Sequence, residues 1–211
     1  MTAREEPGER LPDEALERIY GPDLPGGVRV ERSDIETYWR RHEEELREHF
    51  PPEAYFRLDP EGEPPVDHCF LLLAGDRLAG VTSGTPSRAT PSTYLTSHTT
   101  IHPDFRRLGI YAELQRRVLA YSREAGFRRV DSSHAPSNNA VLIAKLRAGF
   151  RIVTLDLDPA HGPVLVLRYF HEPVELAAYE YRCGHASVTP ELARTGFGAW
   201  DELRRQLRAS S

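Results

Sequence analysis

Lysine is almost missing from this chain of 211 residues: of its 27 basic residues only Lys145 is a lysine. We read this mainly as a coding bias, and it makes Lys145 an unusually clean probe. Cysteine is scarce too. Cys69 and Cys183 are the only two, too few for a disulfide framework, and no CxxC spacing suggests a metal site. A basic excess is absent, with 27 basic against 32 acidic residues and a net charge of -5. That argues against a nucleic-acid partner. No apolar run approaches the ~18 residues of a membrane span, and the opening MTAREEPGER has no apolar core of a secretory signal. The phosphate-loop patterns GxxxxGK[ST] and GxGxxG do not occur, which weakens nucleoside triphosphates and dinucleotides as ligands. The expectation is a soluble, cytoplasmic chain with reduced thiols, no membrane partner and no metal. Its length suits one domain with appendages.

What is present is a regular alternation of apolar patterns. Pro12 to Tyr20 reads as a short helix ended by Gly21-Pro22, and Gly27 to Glu31 as a strand. Ser33 with Glu36 reads as a capping box for a helix reaching about His49, with Ile35, Tyr38, Trp39, His42 and Leu46 at helical spacing. Pro51 to Val66 is rich in Pro and Glu and reads as loop. Cys69 to Ala74 and Leu78 to Thr85 flank Gly75-Asp76-Arg77, a hairpin signal. Tyr94 to His102 is a third β-rich run. Gly109 to Glu124 carries Ile110, Leu114, Val118 and Tyr121 at helical spacing. Arg129 to His134 follows as a strand, Asn138 to Ala148 as a helix, then Phe150 to Leu157 and Val164 to Tyr169 as strands. The tail from His171 is less regular. It holds Thr189-Pro190, a good helix start, and a final helix around Ala199 to Arg208 with Trp200, Leu203 and Leu207 on one face.

The chemistry concentrates in TTIHPDFRRLGIYAEL, Thr99 to Leu114. A β-rich run ends at Ile101, a polar turn follows, and Gly109 opens an amphipathic helix. The first turn of a helix has unpartnered N–H groups and a positive dipole end. Arg106 and Arg107 lie just upstream, and glycine lets a ligand approach the backbone. These features suit an anion, and a pyrophosphate fits best. An ordinary strand-to-helix turn with solvated arginines is the other reading of this segment alone. The stretch resembles motif A of the GNAT (general N-acetyltransferase) superfamily, [RQ]xxGx[GA], with Arg106, Gly109 and Ile110 matching. Tyr111 stands where the family prefers Gly or Ala. SNNAVLIAKLRAGF, Ser137 to Phe150, resembles motif B, in which an Asn opens a helix that closes on a Gly-Phe pair. Both motifs occur in the family's order and separation, and the resemblance covers about residues 27 to 170.

The resemblance implies a mixed α/β (α+β) GNAT fold: a mixed central sheet with two splayed parallel strands flanked by helices, here with a C-terminal helical extension. The implied divisions are 1–26 as tail and short helix, 27–170 as the acyltransferase domain, and 171–211 as the extension. It also implies acetyl-CoA as cosubstrate. The pantetheine would lie along Thr99, Thr100 and Ile101, the pyrophosphate on the loop Arg106, Arg107, Leu108, Gly109, Ile110 and Tyr111, and Asn138 near the pantetheine or the acceptor. The implied reaction is direct attack of a primary amine, of a small molecule or a peptide, on the thioester. A non-catalytic acyl-CoA-binding module and an enzyme for longer acyl chains stay open, as does a homodimer.

Catalytic side chains are harder to assign. Many relatives place a carboxylate near Ser97 or His98 and a Tyr four residues before the Gly-Phe pair; here there is no carboxylate, and the second position is Lys145. A histidine is the natural base in that case. His98 is expected slightly ahead of His134, and His102 is expected to be structural. Strand alternation places Thr96, His98 and Thr100 on one face, opposite Ser97, Thr99 and Ile101, with Ile101 in the core. Lys145 is expected to be a solvated helix lysine, or else a stabiliser of the departing thiolate.

Overall fold

A computed structural model describes residues 13–49, 68–90, 92–158 and 162–184. It divides into two compact units, residues 1–169 and 170–211. The first holds α1 (Asp13–Tyr20), β1 (Arg29–Ser33), α2 (Ile35–Glu45), β2 (His68–Ala74), β3 (Arg77–Pro86), β4 (Thr93–Ile101), α3 (Ile110–Glu124), β5 (Arg129–His134), α4 (Asn139–Arg147), β6 (Arg151–Asp158) and most of β7 (Gly162–Phe170). Its seven strands form one sheet in the order β1-β2-β3-β4-β5-β7-β6. Strands β1 to β4 are an antiparallel run, whereas β4 and β5 pair in parallel across the crossover helix α3. This is the mixed α/β sheet that the sequence led us to expect.

Around β2 and β3 the sheet is buried on both faces, and the sequence of β2 shows why. HCFLLLA has no polar alternation, so both of its faces need cover. Phe70 and Leu72 join one core with Leu16 and Tyr20 of α1, and Ile110, Leu114, Val118 and Tyr121 of α3. Cys69, Leu71 and Leu73 join a second core with Tyr38 and Leu46 from the α2 region. Tyr20 stacks on Phe70 with ring centroids 4.4 Å apart. Each large side chain buried this way contributes roughly 1.5–3 kcal/mol.

Some local expectations need correction. The cap of α2 is Asp34, whose carboxylate accepts from Thr37 N–H at 2.7 Å, and no Ser33–Glu36 box forms. Asp at this position satisfies the same orphan donor one residue later. Helix α2 stops at Glu45, and Arg47–His49 is a separate 3-10 turn. In the second unit, the tail expected to be irregular starts with α5 (Pro173–Arg182), whose proline lies in its first turn. Pro presets the backbone there, so Glu172-Pro173 was a readable start. Thr189-Pro190 and the helix expected around Ala199 to Arg208 lie outside the described residues.

One irregularity controls the site. In β4 the pairing with β3 shifts by one residue: Thr96 opposes Gly84, whereas His98 opposes the adjacent Ser83. Ser97 is therefore a bulge. Neighbouring residues of β3 face opposite ways, so Thr96 and His98 do too. The expected shared face of Thr96, His98 and Thr100 is broken at Thr96. Past the bulge the pattern is as expected, with Ile101 packed on the first core and Thr100 opposite Val81 of the second.

Candidate active site

The two central strands separate beside the bulge. The parallel register of β4 and β5 runs from Thr93↔Arg129 to Thr96↔Ser132 and ends there. Beyond this rung β4 continues through Ser97 to Ile101, and β5 through Ser133 to His134. A bulge bends its strand, and past this one Thr99, Thr100 and Ile101 pair with β3 but not with β5, so a gap opens on that side.

At the far end of β4 the chain turns through Pro103–Phe105 into the loop expected to hold an anion. His102 caps this turn, its Nδ1 accepting from Asp104 N–H at 3.2 Å, which is a structural use. Arg77 donates to Asp104 at 2.8 Å and lies over the Phe105 ring, fixing the turn further. Arg106 Nε donates back to the Ile101 carbonyl at 3.1 Å. Arg107 and Gly109 both have left-handed backbones, with φ of 64° and 85°. Left-handed residues in such a turn form concavities that bind anions. Gly109 is the N-cap of α3 with no side-chain cap, so the first N–H groups of the helix, from Ile110 and Tyr111 onward, keep no side-chain acceptor from it. Leu108 is exposed, Ile110 is buried in the core, and burial raises the Tyr111 phenol above its usual range.

The loop has a brace that sequence reasoning missed. Arg117 of α3 is buried and donates to the carbonyls of Tyr20, Pro22 and Asp23 at 2.7, 2.6 and 3.0 Å, and to Glu113 at 2.9 Å. Three carbonyls use the fixed fork of a guanidinium well. The segment so anchored brings Pro25 behind Gly109 and Gly26 against Leu108. The available signal was the position of Arg117 next to Val118 on the apolar stripe of α3.

The histidines end on opposite faces. His98 lies beneath α2. Its Nδ1 is 2.8 Å from Tyr38 Oη and its Nε2 2.9 Å from Thr100 Oγ1, with the rings of Trp39 and His42 alongside. Burial, and then the neighbouring His42, push its pKa down to about 3. His134 lies on the face of Thr96. Its Nε2 is 2.6 Å from Ser132 Oγ, and burial, followed by the charge of Lys145, lowers its pKa to about 3.

Lys145 is not a solvated helix lysine. Its residue is 1% exposed, and its ammonium donates to Thr96 Oγ1 at 3.2 Å and sits 4.4 Å from the centre of the Phe150 ring. Burial alone lowers its pKa to about 7. The helix around it reads as amphipathic in neither direction, with Ile143 and Leu146 exposed, so periodicity could not show which residue points inward. Asn138 caps this helix, accepting from Val141 N–H at 3.4 Å, and is exposed. On the other face of β5, Asp131 accepts two hydrogen bonds from Arg168, at 2.7 and 2.6 Å.

A profile of the acetyltransferase (GNAT) family matches residues 33–150, more than half of the chain. The chain belongs to that family. Its fold resembles the GNAT-family acetyltransferase of Streptococcus pneumoniae at a TM-score of 0.51 and 13% identity, over 68% of this chain and 98% of that one. It also resembles the ribosomal-protein-S18-alanine N-acetyltransferase of Escherichia coli at a TM-score of 0.50 and 13% identity, over 68% of this chain and 93% of that one. No curated protein matches the chain. Among the described residues no group of three His, Cys, Asp or Glu could hold a metal ion, and no helix is long and apolar enough to cross a membrane.

Proposed function

We propose that this protein is an acetyl-CoA-dependent N-acetyltransferase that moves the acetyl group to a primary amine of a small molecule or peptide by direct attack. The observation that carries the reading is the parting of β4 and β5 after Thr96↔Ser132, next to the open backbone of Arg106 to Tyr111. In this reading Thr99, Thr100 and Ile101 offer backbone groups to the pantetheine, and Arg106, Arg107, Leu108, Gly109, Ile110 and Tyr111 receive the pyrophosphate. In the same reading Asn138 lies near the pantetheine or the acceptor. A backbone N–H of the freed β4 segment meets the charge that develops on the thioester oxygen.

Only a free amine attacks, so a group in the site takes a proton from the incoming ammonium. By position His134 fits this role better than His98, since burial lowers the proton affinity of both alike. Both nitrogens of His98 are engaged under α2, whereas His134 ends the strand that borders the gap. The test is a thermal-shift screen with CoA and its acyl esters, followed by thiol release over a panel of amines. Stabilisation of ~2.7 kcal/mol is expected at a hundred times the dissociation constant. Stabilisation by CoA without thiol release for any amine would instead identify a binding module.

A further inference from the structure

Lys145 has an unusual setting for an ammonium. Among the described residues no carboxylate pairs with it, and what meets it is one hydroxyl and one ring face. Burying a charge under such poor compensation is costly, and proteins commonly answer by giving up the proton. A methionine or leucine would fill the same space without that cost, so the lysine calls for a chemical reason. Its position supplies one. Thr96, its hydroxyl partner, is the β4 half of the last rung before the strands part. Ser132, the β5 half of that rung, holds His134 at 2.6 Å. One rung therefore carries an amine on one strand and an imidazole on the other, at the mouth of the gap. The charge of Lys145 acts on His134, adding to burial in lowering its proton affinity. Asp131, the preceding residue of β5, is held by Arg168.

We infer that Lys145 is the proton donor to the departing sulfur, and that His134 works with it as one exchange unit. This rests on the acetyltransferase reading above. When the tetrahedral adduct collapses, the C–S bond breaks and its electron pair goes to sulfur. A proton passes from Lys145 Nζ to that sulfur, leaving a neutral amine and a free thiol. The acceptor nitrogen loses two protons over the reaction. One, taken up at His134, restores the Lys145 ammonium, and the other goes to solvent.

Because the chain has a single lysine, full-length protein labelled with 15N-lysine gives one Nζ resonance to titrate. Its midpoint is expected near 7; a midpoint near the ordinary ~10.4 overturns the inference. The second measurement is the pKa of the thiol of bound CoA, read from thiolate absorbance in wild type and in Lys145→Met. A donor at the sulfur lowers the thiol pKa by about one unit or more in wild type relative to the variant; equal values overturn the inference. Turnover of Lys145→Met is expected to fall ~10²-fold with CoA affinity kept. Should that variant not fold, the wild-type titration decides. If wild type binds no CoA, the acetyltransferase reading itself fails. If wild type binds CoA and releases thiol while Lys145→Met does the same at full rate, only the role of Lys145 fails.

Discussion

The two faces of the β4–β5 region treat similar side chains in opposite ways. Under α2, His98 is locked between Tyr38 and Thr100, with a hydroxyl at each of its ring nitrogens. On the Thr96 side, Lys145 and His134 each have one hydroxyl, and among the described residues neither pairs with a carboxylate. The first arrangement is what a stable fold needs from buried polar groups. The second leaves proton-binding capacity unspent, as functional sites tend to do. Pair formation at Asp131 and Arg168 shows that β5 can satisfy a buried charge completely when nothing else is required of it.

The sharpest way to break this comparison is at the satisfied pair. Arg168→Met leaves the Asp131 carboxylate buried and alone, with an expected loss of about 3 kcal/mol. Chemical denaturation measures it; a loss below about 1 kcal/mol would mean that water already screens the pair. Next is His134→Ala, which should reduce turnover ~10²-fold, equivalent to about 2.7 kcal/mol, with melting and CoA stabilisation little changed. His98→Ala should do the reverse. It removes the partner of Thr100 Oγ1 and the shorter of two contacts of Tyr38 Oη, and should cost about 1–3 kcal/mol of stability, while the shape of the pH–rate profile survives. Exchange of these two outcomes would reverse the assignment of the faces.

Lys145→Met sharpens the comparison through pH. The folded-state pKa of Lys145 lies near 7, below the ordinary value of 10.5. The unfolded chain therefore binds more protons between these values, and wild-type stability drops as pH falls from about 10.5 to about 7, then levels off. Methionine removes this dependence, so the variant should melt above wild type at neutral pH, with the difference closing toward high pH. A constant difference across that range would show that Lys145 is hydrated. The smallest structural effect is expected at Gly109. Its left-handed backbone makes Gly109→Ala cost about 1 kcal/mol with CoA stabilisation retained. Gly109→Glu adds a negative charge where the pyrophosphate is proposed to lie, and CoA stabilisation should vanish; its persistence would remove the loop from the site.

The sequence by itself determined the order of strands and helices through β7, because apolar periodicity and the Gly and Pro stops depend on local geometry. It also located the turn at Gly109 and the cap at Asn138, where a single residue type answers a local backbone demand. The tertiary structure alone decided which face each polar group meets. The bulge at Ser97 is invisible to alternation, since it arises from the pairing of β4 with a distant strand. It sends Thr96 one way and His98 the other. The burial of Lys145 follows from the docking of α4 against the Thr96 side, which the weak periodicity of NAVLIAKLR does not encode. Arg117 finds its carbonyl partners almost a hundred residues earlier in the chain. Such contacts depend on how separate elements meet, and a linear pattern carries that information only after the chain has folded.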